Sequence, residues 1–331
     1  MENALNKILI IQTAFIGDVI LATPVIERLH LAFPEANIDF LLRKGNETLL
    51  ANHPHLRKVI IWDKKQGKYS QLKLLIRELR SEKYDVVVNL QRFMTTGIIT
   101  VLSGGRKTIG FSKNPLSIFF SKRYPHIIGN KEHYTHEVER NLSLLSDVTG
   151  ETTMIPPKLY PSATDFEKVT CNGKYVTISP TSVWFTKQYP LEKWVTVINR
   201  IPKDFKIFLL GGRTDANACE WIKSQSSHPQ IEVKAGAYSF LESAALMKGA
   251  VMNYVNDSAP LHLASATDAP VTAVFCSTIP AFGFGPLSSS SRVVETSVNL
   301  DCRPCGLHGY KACPKGHFKC AEIEAERIVM L

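Results

Sequence analysis

Apolar runs of strand length alternate with amphipathic helical stretches along almost the whole chain. Strands are expected near residues 7–12, 37–42, 58–62 and 85–90, with helices near 18–32, 70–82 and 134–148. Residues 8–11 and Val86-Val87-Val88 are apolar at consecutive rather than alternate positions. Strands covered on both faces of a parallel sheet have that signature. Past Gly150 the alternation lapses in a stretch containing Pro156, Pro157, Pro161 and Ser162, which reads as a linker. It restarts with strands near 175–180, 206–211, 250–255 and 271–276 and helices near 190–200, 214–226, 239–248 and 258–267. The pattern predicts doubly wound α/β structure in two domains, residues 1–160 and 161–331. The length of 331 residues agrees, because it exceeds the usual size of a single core.

Two strand-to-helix junctions carry the most chemistry. After the run at 250–255 comes Asn256-Asp257-Ser258-Ala259-Pro260-Leu261-His262-Leu263-Ala264, so the first N–H groups of a helix point beyond the strand's carboxyl end. Such a turn seats a phosphate. Near the start, Lys7-Ile8-Leu9-Ile10-Ile11-Gln12 passes through Thr13-Ala14-Phe15-Ile16-Gly17-Asp18 into the first helix. Two open parallel sheets facing each other would place their carboxyl-end crevices on opposite walls of one cleft. Neither half carries G-x-G-x-x-G or G-x-x-x-x-G-K-[ST], which disfavours nicotinamide cofactors and phosphate-loop ATP hydrolysis.

Charge narrows the partners. A formal net charge of +9 is spread through Arg57-Lys58, Lys64-Lys65 and Lys122-Arg123 rather than gathered in a tail. It suits an anionic partner, whether nucleic acid, an acidic membrane surface or a phosphorylated substrate, and equally an ordinary solvated basic surface. The first residues show no basic leader with a cleavage site, and the uncharged stretch 270–287 is broken by Pro270, Pro280, Gly283, Gly285 and Pro286. A cytoplasmic protein, at most membrane-adjacent, is expected.

Asp18 is either a helix cap or a general base taking a proton from a substrate hydroxyl, with the helix N-terminus keeping it ionised. Gly17 beside it allows close ligand approach, and Thr13 is a candidate hydrogen-bonding partner. In the second half, Thr181, Ser182, Thr186 and Lys187 follow a strand, a grouping suited to a diphosphate, although a surface lysine is the plain alternative. Gly211-Gly212-Arg213-Thr214-Asp215 is a further strand-to-helix turn whose acidic residue could bind a ribose hydroxyl.

Taken together, residues 8–11, Gly17-Asp18-Val19 with Thr23-Pro24, Lys187, Asp257-Ser258-Ala259-Pro260-Leu261-His262-Leu263-Ala264 and Phe284-Gly285-Pro286 resemble the ADP-heptose:lipopolysaccharide heptosyltransferases, glycosyltransferase family 9. The resemblance implies the GT-B fold, two facing Rossmann-like domains with a cleft between them. It also implies inverting transfer of a heptose from ADP-heptose to a lipopolysaccharide inner-core precursor, without a catalytic metal. Carried over, it makes Asp18 the base on the acceptor side and Lys187 a diphosphate contact with Ser182 beside it. Asp257, Ser258 and Ala259 then meet the donor's sugar and phosphates, with Ala259 standing where the family usually has Gly. Gly212 and Asp215 are expected at the ribose, and His262 as helix packing. Thr13, Gly17, Lys64 and Arg92 are expected on the acceptor side, with Arg57, Lys58 and Lys65 as further basic candidates toward acceptor phosphates or an anionic leaflet. Peripheral contact at the cytoplasmic face of the inner membrane follows, and no nucleic-acid partner. The alternatives are a transferase using another nucleotide sugar or a protein acceptor, or a non-catalytic binding module on the same fold.

Four of seven cysteines fall within nineteen residues: Cys302, Cys305, Cys313 and Cys320, with His308 and His317 between. The set suits a structural Zn²⁺ or iron site, or a group of reduced thiols, and any metal here would not be catalytic. Cys171, Cys219 and Cys276 are expected in the core.

Overall fold

The computed structural model describes residues 5–64 and 68–329. Lys65, one of the basic candidates, lies outside them. The chain divides into two compact units, Met1–Ile128 with Thr135–Tyr160, and Gly129–Tyr134 with Pro161–Leu331.

The first unit is built on strands β1 (Lys7–Ile11), β2 (Asn37–Arg43), β3 (Lys58–Trp62), β4 (Val86–Asn89), β5 (Lys107–Phe111) and β6 (Lys122–Tyr124). They form one parallel sheet in the order β3-β2-β1-β4-β5-β6. Helices α1 (Ile16–Ile20), α2 (Thr23–Ala32), α3 (Lys68–Glu82), α4 (Met94–Leu102), α5 (Glu137–Ser143) and α6 (Ser146–Thr149) connect or follow the strands. The consecutive apolar positions of β1 are all required: Ile8, Leu9, Ile10 and Ile11 are fully buried. Leu9 and Ile11 share one cluster with Leu75 and Leu79 of α3 and Ile99 of α4. The single helix expected over 18–32 is two, because the Thr23 hydroxyl donates to the Ile20 carbonyl at 2.8 Å and Pro24 opens a new first turn.

Asp39 in β2 is a carboxylate with no exposure, tolerated because the Arg57 guanidinium donates to it at 2.9 Å and the Tyr84 hydroxyl at 2.6 Å. Burial and that hydroxyl's bond to Asp39 hold the Tyr84 phenol protonated, well above its usual range. Arg57 also pairs with Glu82 at 2.8 Å, and Lys58 pairs with Glu78. Both residues stand at the amino end of β3, the edge opposite the junctions described below. Each is engaged in an ion pair there. Arg57→Ala strands the buried carboxylate with one hydroxyl, and a loss of about 3 kcal/mol is expected in urea unfolding.

The second unit repeats the plan. Strands β7 (Tyr175–Ser179), β8 (Lys206–Leu209), β9 (Ile231–Val233), β10 (Met252–Asn256), β11 (Val271–Phe275) and β12 (Ser291–Glu295) make a parallel sheet in the order β12-β11-β10-β7-β8-β9. Its helices are α7 (Ala163–Lys168), α8 (Leu191–Arg200), α9 (Ala216–Gln225), α10 (Phe240–Gly249) and α11 (Ala259–Ala266). Trp194, Val197, Ile198 and Ile222 pack with Ile323 and Ile328 from the chain's last turns. The Tyr189 hydroxyl and the Lys193 ammonium then donate to the Ile323 and Ala321 carbonyls at 2.7 and 2.9 Å. Cys219 and Cys276 are buried as expected. Cys171 is not: it sits half-exposed before the Gly173 turn, where positive φ ends any strand pattern ahead of β7.

Candidate active site

In an open parallel sheet, ligands gather where the strand order reverses, because the loops leaving the two central strands diverge there. In the first unit that point lies between β1 and β4. Residues 12–15 leave β1 for α1, and Gln91 and Arg92 leave β4. The two loops are tied together by the Gln91 amide, which donates to Gln12 Oε1, while the Gln91 backbone N–H donates to Asn89 Oδ1 at 2.8 Å within its own turn. Lys64 Nζ donates to both the carbonyl (2.9 Å) and hydroxyl (3.2 Å) of Thr13, and Asn46 donates to the Ala14 carbonyl at 3.1 Å. Thr13 is thereby buried and shapes the loop jointly with Lys64.

Asp18 is the third residue of α1, immediately after Gly17, and its Oδ2 accepts the Phe15 backbone N–H at 3.2 Å. The cap reading is thus met, and the carboxyl has a second property. Burial, aided by repulsion from Glu137, raises its pKa from 3.8 to about 6; the backbone N–H groups and Arg92 pull the other way and do not win. The helix end acts as expected, its N–H groups favouring the carboxylate, and burial and Glu137 act against them. A carboxyl poised near 6 is mostly deprotonated at neutral pH and still basic enough to take a proton.

The second unit reverses between β7 and β10, and here two separately predicted residues meet. Lys187 Nζ, in the turn after β7, lies 2.7 Å from Asp257 Oδ2, at the end of β10. The Thr278 hydroxyl, beyond β11, donates to the same oxygen at 2.5 Å. Asn256 locks the two loops, accepting the Tyr189 N–H at 2.9 Å. Ser258 stands at the N-cap position of α11 with extended backbone, its hydroxyl donating to the Asn256 carbonyl at 3.4 Å rather than capping the helix, and Ala259 and Pro260 form the first turn. Ser182 donates its backbone N–H to Gln188 in the same loop as Lys187. Gly212 and Asp215 make their own turn after β8, where the Asp215 carboxylate accepts the Gly212 N–H at 2.7 Å. Gly211 must be glycine, since a Cβ there would stand 2.7 Å from the Asp215 side chain. His262 is buried with its ring against Phe284, as packing requires.

Sequence reasoning missed the frame around Lys187. The Ser277 hydroxyl and the Tyr310 N–H both meet Thr186 Oγ1, at 3.1 and 2.8 Å. Arg303 donates to the Cys276 and Thr278 carbonyls at 2.6 and 2.8 Å. Ser277-Thr278 directly after an apolar run was the available signal; nothing local announced Arg303.

The cysteine segment therefore leads from this frame back into the core. Cys302 Sγ stands 3.7 Å from His317 Nε2, and all seven cysteines are free thiols. Burial raises Cys320 to about 11, and burial together with the neighbouring thiols raises Cys305. Burial also acts on Cys313, where the backbone N–H groups of Phe318, Lys315, Gly316 and His317 outweigh it and favour the thiolate. The soft donor set fits a structural metal. Among the described residues, however, no three His, Cys, Asp or Glu side chains are drawn into a metal-holding arrangement.

The family model for glycosyltransferase family 9 (heptosyltransferase) matches residues 72–310. Lipopolysaccharide heptosyltransferase 3 of Escherichia coli (strain K12) is 30% identical over 282 residues, spanning 80% of this chain and 81% of that protein. The chain belongs to glycosyltransferase family 9. It is a glycosyltransferase, and its fold is shared with solved members. A family 9 glycosyl transferase from Veillonella parvula matches with TM-score 0.83 at 21% identity, covering 99% of this chain and 96% of that one. An E. coli heptosyltransferase solved with ADP-2-deoxy-2-fluoro heptose matches with TM-score 0.72 at 20% identity, covering 87% and 92%. Among the described residues of this glycosyltransferase, no helix is long and apolar enough to cross a membrane.

Proposed function

We propose that this glycosyltransferase moves a heptose from ADP-heptose to a sugar hydroxyl of a lipopolysaccharide core precursor, inverting the anomeric centre. The first unit would hold the acceptor and the second the nucleotide sugar. Asp18 takes the proton of the attacking hydroxyl as its oxygen bonds to the anomeric carbon and the bond to the diphosphate breaks. Lys187, the Ser258 hydroxyl and the Ala259 N–H at the start of α11, where Pro260 offers none and the Leu261 N–H is taken by the Ser258 carbonyl, stabilise the charge that collects on the departing ADP. Asp257 and Thr278 set the position of Lys187. Asp215, Gly212 and Ser182 complete the donor side, and Arg92 and Lys64 the acceptor side. No metal takes part in the transfer. The observation that carries the reading is the Lys187–Asp257 pair at the reversal of the second sheet, with a carboxyl poised near 6 at the reversal of the first.

The test compares ADP-heptose with UDP- and GDP-sugars, with the product anomer read by NMR and EDTA present in one arm. ADP-heptose alone should support transfer, with configuration inverted and chelator without effect. Preference for another nucleotide sugar, or retention of configuration, would overturn the reading.

In the same reading Cys302, Cys305, Cys313 and Cys320 hold a structural Zn²⁺ or iron that fixes the segment framing Lys187. About one metal per chain is expected by elemental analysis, lost in the Cys302→Ser, Cys305→Ser double variant together with a lower melting temperature.

A further inference from the structure

We infer that Gly309 and Thr186 are positioning residues for Lys187: the segment 303–310 grips the turn that carries this lysine and fixes where its ammonium stands, a role that rests on the proposed contact of Lys187 with the donor's diphosphate. A lysine ammonium rides on a flexible four-carbon stem, so meeting one phosphate in one geometry requires both its backbone and its stem to be held. The backbone is held through Thr186, the middle residue of the single turn Phe185–Lys187 and only 1% exposed. Its N–H donates to the Tyr310 carbonyl at 3.1 Å and its hydroxyl oxygen accepts the Tyr310 N–H at 2.8 Å, so one residue of the far segment binds it twice. On the other side the Ser277 N–H donates to the Thr186 carbonyl at 3.2 Å, and the Cys305 N–H donates to the Ser277 carbonyl at 2.9 Å.

The stem is held by Gly309. Its φ of +75° lies in the left-handed region, and a Cβ there would stand 2.8 Å from Lys187 Cγ and 3.1 Å from Thr186 Oγ1. Glycine at this position is what lets the chain lie flat against the lysine. A glycine required only by its turn leaves open space around the missing side chain, as Gly173 does at φ +90°. The same segment also reaches the other member of the ion pair. Arg303 donates to the Thr278 carbonyl at 2.8 Å, and the Thr278 hydroxyl donates to Asp257, the partner of Lys187. Residues 303–310 therefore set the lysine and its carboxylate together.

Two measurements on the full chain test this: the rate at which acetic anhydride acetylates Lys187 in the absence of ligand, read by mass spectrometry, and ADP affinity by calorimetry. Gly309→Ala and Thr186→Val should each speed acetylation of Lys187 about fivefold and weaken ADP binding about tenfold. Thr186→Ser, which keeps the hydroxyl, and Gly173→Ala, which meets comparable backbone strain in open space, should stay within about twofold of the parent in both. In a Lys187→Ala background, Gly309→Ala should weaken ADP no further, because the stem it displaces is gone. Unchanged acetylation in both Gly309→Ala and Thr186→Val would overturn the inference. So would full additivity of Gly309→Ala with Lys187→Ala, or an ADP affinity that falls in Lys187→Ala and not in Gly309→Ala. Faster acetylation with normal ADP affinity in every variant, Lys187→Ala included, would uphold the grip on the lysine and overturn only its contact with the diphosphate.

Discussion

Asp18→Asn is expected to lower turnover about a thousandfold while ADP binding, followed by calorimetry, changes less than twofold. General base catalysis by a positioned carboxylate is worth 10²- to 10⁴-fold, and asparagine keeps the shape and the acceptor oxygen for the Phe15 N–H while removing the basic site. In the unaltered protein, kcat/KM should climb with pH through about 6 and level off above it, following the raised pKa of this carboxyl. Transfer by the variant within tenfold of the parent would remove Asp18 from the mechanism.

The same substitution has a stability consequence of opposite sign. In the folded chain Asp18 holds its proton up to about pH 6, against 3.8 for an ordinary aspartate, so the native state binds the proton more tightly than the unfolded one. Its contribution to stability is complete below about pH 4 and is lost as pH rises through 6. Asparagine does not ionise and escapes that loss. The variant should therefore be more stable than the parent at pH 7–8, by about 1–2 kcal/mol once partial solvent access to the carboxyl is allowed for, and equal to it near pH 4. Inactive yet more stable is the signature of a carboxylate held at a cost for chemistry; a purely structural cap would lose stability instead.

Much of this architecture can be read from the chain because both faces of each sheet are covered. Strands such as β1 and β4 must then be apolar at every position, and a run of that kind stands out. Most of what escaped notice lacked that constraint; the exception is β5, an interior strand in which Thr108 and Gly110 break the apolar run. β6 is Lys122-Arg123-Tyr124, an edge strand with exposed cations and no apolar run. β12, at the other sheet's edge, is Ser291-Arg292-Val293-Val294-Glu295. Helix α4 reads poorly as a helix, since Thr95, Thr96, Ile98, Ile99, Thr100 and Val101 are β-branched and Gly97 interrupts them. Tertiary contacts supply what propensity does not: the Asn89 amide donates to the Thr100 hydroxyl at 2.8 Å, and Gly97 admits Asn114. The site shows the same division. Asp18, Lys187 and Asp257 are visible because each follows a strand and opens a turn. Their surroundings are not, because Glu137 reaches Asp18, and Asp257 reaches Lys187, only after the chain has folded back along the sheet.

Lys187→Ala is the second large expected effect. If the ammonium neutralises charge on the departing diphosphate, its loss costs on the order of 3 kcal/mol of barrier, or roughly a hundredfold or more in kcat. The ion pair with Asp257 makes the result more informative than a rate alone. Asp257 is buried, and without Lys187 it keeps only the Thr278 hydroxyl among the two contacts made through Oδ2. An anionic donor would then meet an uncompensated carboxylate, so donor affinity should fall along with kcat. Asp257→Asn removes that repulsion. In a double-mutant cycle, the Lys187→Ala, Asp257→Asn protein should recover part of the lost donor affinity but not the lost turnover, because neither side chain can then neutralise the leaving group. Strict additivity in both affinity and kcat would show that the pair does not act as a unit, and near-normal kcat in Lys187→Ala would leave the diphosphate without this lysine.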